Sequence, residues 1–475
     1  MNKINKKTKK EETGIIITYV LVFGSIFLII FGGLVDLLLT QWRNSSQRLA
    51  WNQSLHVAEA GINYYKWCIN NNIEDNCSIQ KDYLDSEGKK IGEFSLDVTP
   101  SVTCGEAIQK EIISTGKIEK YDNMERKISV IYARPSVAKY SYILNDNVWI
   151  GADHTIRGPY HSNGGIRIDG ENQSTVTSAA ENWVCTDSFG CSPCPTSAGC
   201  KMQQTNCVCP GVFTTANGNE SLFQYPIPPF DFGSITIDLA KMKIAAKNSG
   251  IYLFPSSSIN SQAKGYHIIL NNNGTFTARI ITGLTSTYAY SLEEGWHYDN
   301  FTISSEYFYN DYSIPSSCSA IFVEDNLWIE GTVKGKVAIA SANLIDSNTD
   351  TDIVLPNSIN YETLDGSDGL SLTAEKNILI GPQSPNQMIL RGIFTAQKGR
   401  FGRNHYPNNI KQQLEIVGAV VSNGRVGTQW TSGSQIISGY RERESYFDSN
   451  LIYNAPPFVS YLSPEFQMVR WQEVE

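Results

Sequence analysis

Cysteine offers the most chemistry in this sequence. Six of the ten cysteines, Cys185, Cys191, Cys194, Cys200, Cys207 and Cys209, share one polar stretch, and Cys68 and Cys77 form a second close pair. Cys104 follows these two, and Cys318 is isolated. An even count clustered in Gly-, Pro- and Ser-rich sequence reads as disulfides made in an oxidising compartment. Zinc is the rival, because CSPC and CVC supply close thiol pairs. Structural zinc takes four ligands at regular spacing, and these six thiols are uneven and lack a nearby paired histidine. Disulfides are therefore expected at the eight clustered cysteines; their connectivity stays open.

Oxygen ligands are scarcer. DSNTDTD alternates Asp346, Asn348, Asp350 and Asp352, as the first ligands of a calcium loop do. No glycine follows at the sixth position, and Asn357 stands where a bidentate glutamate would close such a loop. Calcium is the one cofactor this pattern admits, but a solvated Asp/Thr turn is the simpler reading. Glycoside hydrolysis needs two facing carboxylates. Glu324 with Asp325, Asp365 with Asp368, and Glu442 with Glu444 are available, but none stands out by spacing. Asp365 and Asp368 lie in DGSDG, where aspartate is turn chemistry. There are six histidines and no G-x-S-x-G, so His154, His161 and His405 read as satisfied loop residues. No catalytic residue is assigned. WHYDNFTISSEYFYNDY, from Trp296 to Tyr312, reads as a sugar-stacking or adhesive surface or as core.

The elements that would position these groups begin with a greasy segment. Ile15 to Val35 carries no charge and is long enough to cross a bilayer as a helix. Lys3, Lys6, Lys7, Lys9 and Lys10 precede it, which places the N-terminus in the cytoplasm and the body outside it in a single pass. Helical periodicity continues through Leu39, Trp42, Leu49, Leu55, Ala58 and Ile62, giving one helix of about 50 residues, roughly 75 Å long. The net charge of -9 has no basic stripe, so nucleic acid is not an expected partner.

The Lys-rich leader, Gly14 directly before the apolar run, the long helix and AEAG at Ala58, Glu59, Ala60 and Gly61 together resemble type IV pilin-like proteins, most closely the PilX-type minor pilins. That resemblance implies cleavage by a prepilin peptidase after Gly14, with Ile15 as the new N-terminus, usually methylated. It also implies a membrane, other pilin-like subunits and assembly machinery as partners, and a pilus or cell-surface location. Tyr19 departs from the family pattern, standing where most major pilins keep a glutamate. A carboxylate in a bilayer is costly and is retained for a partner. Its absence argues against a bulk filament subunit, and for a tip subunit or one that is never incorporated. HSNGGIRIDG, GIFTAQKGRFGRNHY and YFDSNLIYNAPPFV resemble phrases of uncharacterised bacterial envelope proteins with pilin-like N-termini.

The remaining chain divides into a leader (1–14), the helix (15–67), a small strand-rich domain (68–135) with a turn at Asp122–Asn123, and two related β regions. These are 136–224, carrying the Cys-rich loop 181–210, and 320–475. Between them lies an insertion (225–319) with a helix started by Asp231 or Ser234 and ended by Gly250, and a hairpin across the Asn-Gly of HIILNNNGTFTARI. NDNVWIGADHTIRGPYHSNGG and EDNLWIEGTVKGKVAIASAN repeat one phrase, with a third echo at VVSNGRVG. Very short strands closed by Gly or Asn, with Val and Ile inside, predict a parallel β-helix (solenoid)-like body. The whole is then mainly β with a long N-terminal helix; an antiparallel sandwich or barrel is the alternative. The expected function is a membrane-anchored pilin-like structural protein, a minor component or assembly factor, not an enzyme. A carbohydrate-active β-helix on a signal anchor and a non-filament binding module are the competing readings.

Overall fold

The computed structural model describes residues 13–474 except 72, 120, 347 and 434. The protein is mainly β, with one long N-terminal helix, α1 (Thr13–Asn70). It forms two compact units, one of Met1–Val98, Ile112–Val130 and Arg470–Glu475, the other of Thr99–Glu111 and Ile131–Val469.

In the first unit, α1 changes character along its length. Its apolar side chains are exposed from Ile16 to Leu49, whereas Ala50, Val57, Ala58, Ile62, Tyr65 and Ile69 are buried at helical spacing. Leu39, Trp42 and Leu49, expected on the same stripe, are exposed; the packed stripe begins only at Ala50. A sheet runs in the order β1 (Gln80–Leu84), β2 (Lys90–Thr103), β3 (Glu106–Ile118), β4 (Tyr121–Ala133) and the terminal strand Gln467–Val474. β4 starts at Tyr121, so Asp122 and Asn123 lie within it and the turn falls before them. The AEAG segment explains the close approach of helix and sheet. A Cβ on Gly116 would overlap the Ser54 carbonyl and the Ala58 amide, and one on Gly61 would overlap Ser114 and Phe94. Small residues on both surfaces let the backbones meet.

The second unit is built from strands in parallel register. One ladder passes through Ile251–Leu253, Ala320–Val323, Lys336–Ser341, Gly369–Ala374, Gln387–Ala396, Ile410–Ser422, Tyr142–Leu144, Tyr160–Ser162, Val176–Ser178 and Phe223–Gln224. Two further faces complete each turn. The second carries Gly265–Asn271, the start of Leu327–Val333, Ile353–Leu355, Ile378–Ile380 and Phe401–Gly402, and nearby residues Val148–Ile150, Ile166–Ile168 and Val212–Phe213 form a separate parallel sheet. The third runs through Ile359–Tyr361, Gln387–Ala396, Ile410–Ser422, Gln435–Tyr446, His154–Ile156 and Glu171–Asn172. Inward side chains from most of them, chiefly Ile, Leu and Val, form one core.

The order of rungs is not the order of the chain. Val420 pairs with Tyr142, so the later residues stack beneath the earlier ones. The regions 136–224 and 320–446 are therefore one continuous stack, the terminal strand Gln467–Val474 pairing with β4 instead, and 225–319 is only partly an insertion, because Ile251–Leu253 and Gly265–Asn271 are the first rungs of the stack. Ten rungs at ~4.8 Å span about 43 Å. The chain must return that distance between Gln224 and Ile251. It does so as a strap lying on the ladder: Ile227 donates to the Ser178 carbonyl, Phe230 exchanges bonds with Asn163, and Ile235 packs on Ile393, Ala419 and Val421. The strap ends in α2 (Leu239–Asn248), whose Met242 and Ala246 pack on Ala320, Phe322 and Ala338. Asp238 caps this helix; Asp231 and Ser234 instead close a turn within the strap. The expected hairpin forms between Gly265–Asn271 and Thr275–Ser291, and the latter pairs antiparallel with Gly295–Ser313.

Candidate functional site

The doubled phrase occupies equivalent places in the coil. Trp149 and Trp328 lie on the second face, Ile156 and Val333 on the third, and Ser162 and Ser341 on the first ladder. The serines close the corners: Ser162 donates to the Asp146 carbonyl, Ser341 to the Asp325 carbonyl, and Ser422 of the third echo to the Gly424 carbonyl, each at 2.7 to 2.8 Å. The asparagines stack beside them. Asn145 donates to Asn423 at 2.9 Å, and Asn163 to Asn145 at 2.8 Å. These polar residues satisfy corner backbone; they do not form a reactive group.

Every cysteine is in a disulfide: Cys68–Cys77, Cys104–Cys318, Cys185–Cys191, Cys194–Cys207 and Cys200–Cys209. The sulfurs of Cys185, Cys191 and Cys209, and of Cys200, Cys207 and Cys209, lie close enough to resemble a metal cluster, but each belongs to a disulfide. Cys104 and Cys318 were not expected to pair; the even total was the only sequence signal. The Cys-rich segment is held to the coil by cations. Arg167 lies 4.6 Å over Trp149, donates to the Phe189 and Gly190 carbonyls and pairs with Asp169 at 2.7 Å. Arg425 lies 4.0 Å over Phe189 and donates to the Ser188 carbonyl.

The four calcium candidates are not brought together. Asp346 accepts from Asn348 and Thr349 in its own turn, and Asp350 pairs with Lys398 at 2.6 Å. Asp352 is a half-buried corner residue: its carboxylate accepts from the amide and side chain of Asn377, and desolvation raises its pKa. Two of the carboxylate pairs, Glu324 with Asp325 and Asp365 with Asp368, are also engaged. Glu324 binds Lys243 and Tyr252, Asp325 accepts from Ser256, and Asp368 accepts from the Gly335 and Thr363 amides. Asp365 is held at about 2 by hydrogen bonds from Ser367 and Thr363. His154 is buried against Ser445 at 2.8 Å, and burial pushes its pKa well down; His161 is likewise lowered by burial and bonds Thr177 and Asn163.

One histidine that sequence reasoning passed over has surroundings that favour its charged form. His267 on Gly265–Asn271 reaches Glu306 through Nδ1 at 2.8 Å and Glu330 through Nε2 at 3.0 Å, while Arg279 faces Glu306 at 2.8 Å. Burial alone would lower the imidazole pKa, but the hydrogen bonds to Glu330 and Glu306 outweigh it and raise it; the same bond lowers Glu330. A raised histidine stabilises the fold fully below its unfolded pKa, near 6.5, and loses that contribution as pH climbs through the folded value. The melting temperature of the protein should therefore exceed that of His267→Gln most at about pH 6, and the gap should narrow above neutrality. A gap constant across pH would contradict a charged bridge.

The Trp296–Tyr312 clump divides. Tyr309 and Tyr312 pack against the core, whereas Trp296 and Tyr298, near the hairpin tip, are 53% and 65% exposed. They join residues from elsewhere: Tyr288 stacks on Trp296 at 4.8 Å and lies 5.3 Å from Tyr298, Tyr290 contacts Trp296 and Trp430, and His405 meets Trp296 and Trp430 edge-on.

Gly14 and Ile15 lie within α1 at the edge of the described residues, and residues 1–12 of the expected leader fall outside them. Tyr19 is exposed and faces Phe23 at 6.4 Å. Ala58 and Gly61 are buried, and Glu59 bonds His56 at 3.2 Å. The helix is long and apolar enough to cross a membrane.

No family model and no curated protein matches the chain. Among solved structures it is similar to the competence-associated pilin ComZ from Thermus thermophilus, with 11% identity, covering 90% of this chain and 98% of that one, at a TM-score of 0.26. A likeness at that level carries no argument about fold or function.

Proposed function

We propose that this protein is a membrane-anchored, pilin-like structural protein of the cell envelope, a minor component or assembly factor of a type IV pilus-like filament. It displays a β-solenoid body outside the cytoplasm for adhesion or assembly. The observation that carries this reading is the division of α1. Its apolar first part leaves every side chain from Ile16 to Leu38 exposed, and its second part is buried on a sheet. Exposed Phe, Ile and Leu of that density need lipid or neighbouring helices to cover them. Five disulfides fit an oxidising exterior. A structural rather than catalytic role is favoured because the carboxylates considered for catalysis are largely engaged in corners, ion pairs and turns.

N-terminal sequencing and intact mass of protein extracted from membranes test this. The expected first residue is Ile15, methylated. An intact Met1, or cleavage beyond Val35, overturns the pilin-like processing.

A further inference from the structure

We propose that the aromatic array of Tyr298, Tyr288, Trp296, Tyr290, Trp430 and His405 is a binding surface for a neutral glycan chain. This deepens the reading of a displayed body by naming what the body recognises.

The array is continuous and rigid. Successive ring centroids from Tyr298 through Tyr288, Trp296 and Tyr290 to Trp430 lie between 4.8 and 5.6 Å apart. Tyr290 and His405 exchange backbone hydrogen bonds at 3.0 and 2.9 Å, which pins the hairpin to the coil. Trp430 donates from its indole to the Arg403 carbonyl at 2.9 Å. Next in the strand to Tyr298, buried Asp299 accepts from Asn404 and Tyr406 and bonds His297. Rings fixed in this way lose little freedom when a ligand arrives.

The chemistry of the surface selects the partner. Tyr298, Trp296 and Tyr288 are 65%, 53% and 45% exposed, and Leu292 at the tip is the one large aliphatic neighbour of comparable exposure on the 286–300 arm. A protein interface of this size would mix aliphatic anchors with its aromatics, whereas pyranose rings present flat C–H faces that stack on aromatic rings and hydroxyl edges that need acceptors. Acceptors border the rings: Glu294 is 63% exposed, Glu293 is 52% exposed beside Arg400, and Asn300 accepts from Ser286. Among these rim residues Arg400 is taken up by Glu293 at 3.0 Å and Glu294 stays exposed, so none offers a free cation to an anionic polysaccharide, which leaves a neutral one.

The test uses the full chain in a detergent without a sugar headgroup, titrated with cellohexaose, laminarihexaose and chitohexaose while tryptophan fluorescence and binding heat are followed. At least one probe should bind. The Trp296→Ala/Tyr298→Ala variant should lose at least tenfold in affinity, Trp296→Phe should retain most of it, and Trp51→Ala, in the first unit, should bind as the parent does. Matching melting curves establish that each variant is folded. Absence of binding by all three probes at about 10 mM, or unchanged affinity in the double variant, overturns the proposal; a Kd in that range would be about 2.7 kcal/mol of binding. Self-association through this face, abolished by the double variant and unaffected by the probes, would overturn it in favour of a protein contact. Purified protein reports binding whatever its cleavage state, so failure here and failure of processing at Gly14 remain distinct.

Discussion

Replacing Cys104 and Cys318 together by alanine should destabilise the second unit more than loss of any other disulfide. The bond closes a loop with a sequence separation of 214 residues, for which chain entropy predicts about 5 kcal/mol. Cys185–Cys191, with a separation of 6, should contribute about 2 kcal/mol. Cys318 is fully buried beside Met242 and Ala320, so alanine leaves only a small void and introduces no unsatisfied hydroxyl. The bond also joins residues that no ladder pairs directly: Cys104 lies in the turn between β2 and β3, within the stretch Thr99–Glu111 that belongs to the second unit, and Cys318 lies just before the rung Ala320–Val323. Thermal unfolding of the two double variants without reductant measures the difference. A loss for Cys104→Ala/Cys318→Ala no larger than that for Cys185→Ala/Cys191→Ala would contradict the loop-entropy account.

Gly418→Val should cost about 4 kcal/mol and loosen the middle of the stack. Gly418 and Gly392 are paired on adjacent rungs where the third face turns into the first ladder, with φ of +132 and +148. Few L side chains adopt that backbone, and a Cβ on Gly418 would overlap the Gly392 carbonyl. The neighbour is backbone and cannot rotate away. The rung must separate, and Ile410–Ser422 is the rung that joins the later residues to Tyr142–Leu144. Gly427→Ala is the matched control, because its φ is ordinary and nothing lies near its Cβ. Melting temperature and limited proteolysis should distinguish them sharply. Equal stability of Gly418→Val and the parent would show that the corner relaxes freely.

Local patterns were legible. The uncharged run from Ile15 to Val35 needs only composition to be read as a lipid-length helix, and the repeated Asp-Asn-apolar-Trp-Ile phrase marks one corner geometry used twice. Cysteine spacing pointed to disulfides without pairing them, because pairing depends on where distant Cα atoms meet. The calcium pattern is ambiguous for a related reason. Alternating oxygen donors describe an exposed turn and a stacked corner equally well, and Asp352 belongs to the corner.

The sequence by itself determined the long apolar helix, the short-strand texture and the small residues where α1 seats. Each depends on neighbours within a few positions, where hydrophobic period and backbone freedom act. Only the tertiary structure decided that Val420 stacks under Tyr142, that a strap must run back along the ladder, that Cys104 finds Cys318, and that Tyr288, Trp296 and Trp430 share one surface. In a stack of near-equivalent rungs, many orders satisfy the same local rules. The order is chosen by the total apolar area that all rungs bury together, which no single segment encodes.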